Sequence, residues 1–193
     1  GEPTWSFLYR KMIPVFLAAG GRVVAPDLYG FGRSDKPEDA ATHTFDFHRG
    51  SLLRLVERLD LQHITLVCQD WGGLFGLTLP MDMPERFERL LVMNTFFAGG
   101  DAPLSEGFLA WRNWCAKQAV FDLARLHKRS SPVLSEAEAV AYNAPFPDPR
   151  YQAALHRFPR MVPERPDDPG AVLGRRAREW FSTQWRGQSF MAI

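Results

Sequence analysis

The chain has 193 residues, 46% of them hydrophobic, which is enough to bury the core of one domain with a smaller appendage. Its 23 Lys and Arg residues nearly balance 22 Asp and Glu, which argues against nucleic acid or an anionic membrane as the main partner. The two cysteines predict neither a disulfide framework nor a metal site, and they indicate a reducing compartment, which we take to be the cytoplasm. No apolar run reaches the roughly 20 residues that cross a membrane.

The first third of the chain predicts alternating helices and strands. A short amphipathic helix is expected from Thr4 or Ser6 through Ile13, followed by a strand at residues 22–26. Thr44 is expected to cap a helix whose apolar positions follow the i, i+3, i+4, i+7 spacing. Those apolar positions are Leu52, Leu55, Val56 and Leu59.

Asp70 is the most informative residue of the chain. It follows the apolar, β-branched run at residues 64–68 after a single residue, Gln69, and Trp71, Gly72 and Gly73 come next, ahead of a helix-forming segment. This is the strand–turn–helix context of a nucleophile elbow, with a carboxylate in place of the usual serine. A carboxylate nucleophile that attacks carbon forms an ester, so the pattern predicts displacement at an alkyl carbon. The alternative is that Asp70 only caps the next helix.

The strand and helix alternation continues to a strand at residues 89–94 and then stops. Several short helices follow, one with a capping box at Ser135 and Glu138, before a helix at residues 172–185 and a final strand ending at Ile193. We therefore predict an α/β protein whose mostly parallel sheet has helices on both faces and a helical cap inserted between strands. The predicted parts are core (1–96), cap (97–170) and return to the core (171–193).

Three motifs carry a family resemblance. They are Gly-Glu-Pro-Thr-Trp-Ser at residues 1–6, the Gly-Phe-Gly-Arg-Ser-Asp turn within residues 27–37, and Gln-Asp-Trp-Gly-Gly at residues 69–73. Together they resemble the α/β-hydrolase fold and, more narrowly, haloalkane dehalogenases. Further matches lie in the cap at residues 107–111 and 142–147, and in the closing segment at residues 187–193.

The resemblance implies a role for each matching residue. Asp70 would displace halide from a haloalkane, and water would hydrolyse the alkyl ester to a primary alcohol without a cofactor or metal. The indole N–H groups of Trp71 and Trp111 would hold the halide, because indole donates a hydrogen bond and accepts none. The backbone N–H groups of Glu2 and Trp71 would form the oxyanion hole. The implied lining of the substrate pocket is Phe108, Phe158 and Pro159.

Ester hydrolysis also needs a histidine base and an acid that orients it. The five histidines lie before the elbow or within the cap, and Asn94 stands where some relatives place the acid. The resemblance implies that both residues follow Ile193, so we expect a chain truncated at both ends that cannot turn over by itself. We expect the protein to be a monomer without nucleic-acid or membrane partners. The histidines are His43, His48, His63, His127 and His156.

Two alternatives remain open from the sequence. An epoxide hydrolase uses the same carboxylate nucleophile, but it needs a proton donor for the alkoxide, and only Tyr142 and Tyr151 are available in the cap. A catalytically incomplete binding protein of the same fold would also lack a visible base. The residues that follow Ile193 would separate these possibilities.

Overall fold

A computed structural model describes residues 1–192, and its sheet is parallel. The strands β1 (Ile64–Gln69), β2 (Phe87–Met93) and β3 (Gln188–Ala192) pair in the order β1-β2-β3. Both pairings are parallel, as predicted. The predicted end of the last strand at Ile193 lies outside the described residues.

The register brings the carboxyl ends of these strands to one edge of the sheet. Gln69 pairs with Met93 at the end of β1 and β2, and Met93 pairs with Ala192 at the end of β3. Residues that directly follow β1 and β2 therefore meet at this edge, where ligands bind in open parallel sheets.

Helices supply most of the remaining regular structure. Thr44 caps α2 (Phe45–Arg58) by accepting a hydrogen bond from the Phe47 N–H at 3.1 Å. The predicted capping box of Ser135 and Glu138 is present at the start of α6 (Glu136–Asn143). The α-helices are α1 (Ile13–Ala18), α2 (Phe45–Arg58), α3 (Trp71–Gly76), α4 (Glu106–Lys117), α5 (Leu123–Ser130), α6 (Glu136–Asn143), α7 (Ala153–Met161) and α8 (Ala171–Thr183). Short 3₁₀ helices cover Ser6–Tyr9, Ala40–Thr42, Pro84–Arg86 and Pro149–Gln152.

Two predicted elements near the N-terminus were wrong. Residues 22–26 form no strand, because an extended segment becomes a strand only when another strand pairs with it, and none does within residues 1–192. The helix predicted to end at Ile13 is instead a 3₁₀ turn, Ser6–Tyr9, and α1 begins at Ile13. Pro14 lies in the first turn of α1. A proline is tolerated there because the backbone N–H groups of the first turn have no partner within the helix.

The chain folds into two compact units. The first contains Gly1, Thr44–Ala110 and the chain from Arg160 onwards, and the second contains Glu2–His43 and Trp111–Pro159. The division predicted at residues 96 and 170 stays a prediction.

The first unit contains the sheet and its core. Val56 of α2, Leu79, Met83 and Phe87 form one buried cluster, and a second cluster surrounds Cys68 of β1. Burial raises the pKa of the Cys68 thiol to about 12, so this residue packs as a small apolar side chain. No helix among residues 1–192 is long and apolar enough to cross a membrane.

Candidate active site

Asp70 lies between β1 and α3 in a strained backbone conformation. Its φ of 52° and ψ of −128° are in a region that residues with a side chain rarely adopt. Such strain persists only where the surrounding structure enforces it, and it is concentrated at functional sites. The geometry is that of the sharp turn predicted from the sequence, at the carboxyl edge of the sheet.

Backbone and side-chain hydrogen bonds hold this turn. The Asp70 N–H donates to the Asn94 carbonyl at 3.2 Å, and Thr95 Oγ1 donates to the Asp70 carbonyl at 2.9 Å. The N–H groups of Gly73 and Leu74 donate to the same carbonyl at 2.8 and 3.1 Å. These hydrogen bonds therefore join the turn both to the first turn of α3 and to the residues that follow β2.

The two glycines after the turn have different surroundings. A Cβ atom on Gly73 would lie 2.2 Å from Thr95 Oγ1, which is far inside van der Waals contact, whereas a Cβ on Gly72 would meet nothing within 4 Å. Thr95 therefore leaves no room for a side chain at Gly73, whereas a side chain would fit at Gly72.

The chain at Gly1 runs beside the Asp70 side chain. A Cβ on Gly1 would lie 2.8 Å from Asp70 Cβ and 3.0 Å from Asp70 Oδ1. The absence of a side chain at Gly1 leaves room for the carboxylate. The residue that follows in the chain is Glu2, whose N–H is the predicted oxyanion donor.

The helix-cap interpretation of Asp70 is not supported. The Asp70 side chain makes no capping hydrogen bond to α3. A residue that caps a helix normally has extended backbone angles, while Asp70 has a positive φ. The Asp70 carboxylate therefore does not cap the helix that follows.

Trp71 begins α3 and is 3% exposed. Its ring lies 4.9 Å from the Phe75 ring, centroid to centroid, with the planes tilted by 34°. Phe75 is fully buried, and it also contacts the rings of Phe45 and His48 at 4.9 and 5.5 Å. Trp71 is thus part of an aromatic cluster inside the first unit.

The remaining predicted site residues divide between the units. Phe108 lies in the part of α4 that belongs to the first unit, while Glu2, Trp111, Phe158 and Pro159 belong to the second. Within the second unit, Trp111 and Phe158 are held by ring contacts. The Trp111 ring stacks on Trp114 at 5.2 Å, and the fully buried Phe158 ring meets Phe31 edge-on at 4.8 Å.

Two residues that shape the elbow were missed from the sequence. Thr95 follows β2 by two residues, and a polar residue just past a parallel strand is a signal that could have identified it. Phe75 lies four residues after Trp71, the spacing at which helical side chains meet, and this signal was also present.

Two histidines have a lowered pKa. Burial lowers the pKa of His43, whose Nε2 lies 3.1 Å from the Pro37 carbonyl, and partial burial lowers the pKa of His127. In both rings this favours the neutral form. Within residues 1–192, no group of three or more His, Cys, Asp or Glu side chains could hold a metal ion.

Comparison with protein families decides the fold family. Residues 1–158 match the family model described as the alpha/beta hydrolase fold. The chain belongs to the α/β-hydrolase family. Its parallel sheet and the helices that surround it agree with that fold.

Comparison with individual relatives shows which α/β hydrolases the chain is similar to. The chain is 47% identical to a haloalkane dehalogenase of Psychrobacter cryohalolentis over 92% of its own length and 59% of the relative's. It is 46% identical to haloalkane dehalogenase 1 of Mycobacterium bovis over its whole length and 64% of the relative's. The predicted resemblance to haloalkane dehalogenases is confirmed, and the chain spans about three fifths of these relatives.

Solved structures agree with the sequence comparison. The chain superimposes with a TM-score of 0.96 on the structure of a haloalkane dehalogenase from Paraglaciecola agarilytica, described as tetrameric. The two are 52% identical, and the match covers all of this chain and 64% of the other. A second haloalkane dehalogenase, from Agrobacterium tumefaciens, is 25% identical with a TM-score of 0.76.

Proposed function

We propose that the full-length protein hydrolyses haloalkanes to a primary alcohol and a halide ion. The observation that carries the proposal is the strained turn at Asp70, which places a carboxylate that does not cap α3 at the carboxyl edge of the sheet. The similarity to haloalkane dehalogenases over the whole chain supports the same chemistry.

The first step is displacement at carbon. An oxygen of the Asp70 carboxylate forms a bond to the substrate carbon while the carbon–halogen bond breaks, and the bonding pair leaves with the halide. The halide is a weak base, so it needs hydrogen-bond donors and no proton. In our proposal Trp71 and Trp111 each supply an indole N–H, as the family resemblance implies, and Phe108, Phe158 and Pro159 line the apolar pocket.

The second step is hydrolysis of the alkyl ester on Asp70. Water adds to the ester carbonyl, the alcohol leaves, and the carboxylate is restored with the release of one proton. The backbone N–H groups of Glu2 and Trp71 are proposed to stabilise the oxyanion of the intermediate.

A halide-release assay on the full-length protein tests the proposal. We expect release of chloride or bromide from short haloalkanes, and Asp70→Asn to lower the rate at least about a thousandfold because the nucleophile is lost. Asp46→Asn, the same change at an exposed position in the first turn of α2, is the matched control and should retain the rate.

Single turnover in ¹⁸O-labelled water identifies the route. Attack by Asp70 requires the label to appear first in the Asp70 carboxylate and not in the alcohol. Label in the alcohol after one turnover, or no halide released from any chloroalkane or bromoalkane, would contradict the proposal. Turnover of epoxides without turnover of haloalkanes would favour the epoxide hydrolase alternative.

The assembly state is a separate proposal. We propose a monomer, although the related protein of Paraglaciecola agarilytica is described as tetrameric. Light scattering of the full-length protein distinguishes the two, and a mass four times that of the chain would contradict the monomer.

A further inference from the structure

Phe75 is the centre of the aromatic cluster in the first unit. Its ring contacts Trp71 at 4.9 Å with a 34° tilt, Phe45 at 4.9 Å with a 64° tilt, and His48 at 5.5 Å with a 19° tilt. Phe75 is 0% exposed, and Trp71, Phe45 and His48 are at most 3% exposed. A ring enclosed by three buried neighbours has one strongly preferred orientation, since protein interiors are close-packed.

Resting on the proposed function, we infer that Phe75 is a positioning residue that fixes the plane of the Trp71 indole for halide binding. The contact joins residues four apart in α3, so the same short helix that begins directly after Asp70 carries both rings. The backbone of Trp71 is fixed by the turn, but its side chain still has two torsions to fix. Packing against Phe75 fixes them.

The order of the contacts explains why Phe75, and not Phe45, has this role. Phe45 packs on Phe75 and on the backbone of Gly170, where a Cβ would lie 2.4 Å from the Phe45 ring. The ring contacts run from Trp71 to Phe75 and from Phe75 to Phe45, so Phe75 lies between the other two rings in this series. Substitution of Phe45 loosens the cluster by a similar amount while the partner of Trp71 is retained.

The test compares Phe75→Leu with Phe45→Leu in the full-length protein. Both variants keep every tryptophan, so bromide and iodide binding can be followed by quenching of tryptophan fluorescence. We expect Phe75→Leu to weaken halide binding about fivefold, the size of one aromatic pair contact, and Phe45→Leu to change it less than about twofold. Thermal unfolding of both variants verifies that each is folded under the assay conditions.

Single-turnover kinetics separate positioning from general damage. Phe75→Leu should slow formation of the alkyl ester, in which the halide leaves, and should leave hydrolysis of the ester unchanged. Equal effects of the two variants on halide binding, or equal slowing of both steps by Phe75→Leu, would overturn the positioning role while the proposed function stands. Absence of halide release by the unmodified protein would overturn both.

Discussion

Two regions each carry one of the tryptophans proposed to bind halide: the elbow around Asp70, and the stacked pair Trp111 and Trp114 on α4. The two regions hold their tryptophan differently. At the elbow, Trp71 and its partner Phe75 are buried, and hydrogen bonds from Gly73 and Thr95 hold the backbone. On α4, Trp111 stacks on Trp114, which is 38% exposed.

This difference separates two ways of fixing a side chain. At the elbow the backbone itself is constrained, because a strained residue is held by neighbours that leave no space. On α4 the backbone is an ordinary helix whose one buried residue is Cys115, and the position of the indole depends on ring stacking. Small changes at the closely packed positions of the elbow should therefore have large effects, and changes on α4 should have modest ones.

The largest difference in stability and activity is expected between the alanine variants of the two elbow glycines, Gly73 and Gly72. Gly73→Ala should lower the free energy of unfolding by about 3 kcal/mol, because its Cβ would overlap Thr95. It should also slow halide release about a hundredfold by displacing Asp70. Gly72→Ala has open space and should retain both properties. Urea unfolding and the halide-release assay measure them, and equal behaviour of the two variants would contradict the packing of Thr95 against Gly73.

Removal of the stacking partner on α4 should have a smaller effect. Trp114→Leu should weaken bromide inhibition of the full-length protein about threefold, because a half-exposed aromatic pair contributes at the low end of its range. Trp114→Phe keeps a ring for Trp111 to stack on and should restore most of the inhibition. Steady-state kinetics at increasing bromide concentration gives the constant for each variant, and an unchanged constant in Trp114→Leu would show that Trp111 does not depend on stacking.

The smallest expected effect concerns a surface ion pair of the second unit. The Arg10 guanidinium lies 2.6 Å from the Glu138 carboxylate, and its hydrogen bond lowers the pKa of Glu138 from 4.5 to about 2. A lowered pKa stabilises the folded state above 4.5, and this contribution is lost as pH falls towards about 2. Glu138→Gln should therefore be slightly less stable than the unmodified protein at neutral pH and equally stable near the lower pKa.

Urea unfolding across that pH range measures the difference. Glu136→Gln is the control: Glu136 lies in the same helical turn and pairs with Lys128 at 3.3 Å, but its side chain is 82% exposed, so its loss should change stability less than Glu138→Gln does at neutral pH. A constant difference between Glu138→Gln and the unmodified protein at all pH values would show that the Arg10 pair does not contribute.

Helices and strands were predicted correctly where the contacts that stabilise them join residues close together in the sequence. The Thr44 cap, the spacing of apolar residues in α2 and the capping box of Ser135 were all predicted correctly, because each involves residues within one or two turns. The strand predicted at residues 22–26 was wrong, because strand formation depends on a partner elsewhere in the chain.

The candidate site shows the same division. Asp70 was found because a strand, a carboxylate and two glycines are contiguous in the sequence. Thr95 was missed, although it donates a hydrogen bond to Asp70, because it lies 25 residues away and reaches the elbow only through the pairing of β1 with β2. The ring contacts of Phe75 with Phe45 and His48 likewise join α2 to α3.

By itself the sequence determined the fold family and the parallel sheet, since these follow from contiguous motifs and local periodicity. Only the tertiary structure decided that Asp70 adopts strained backbone angles without capping α3, that Gly73 and not Gly72 is required, and that Phe75 packs on Trp71. The physical reason is that strain, close approach and ring orientation are set by atoms from distant parts of the chain packed at interior density.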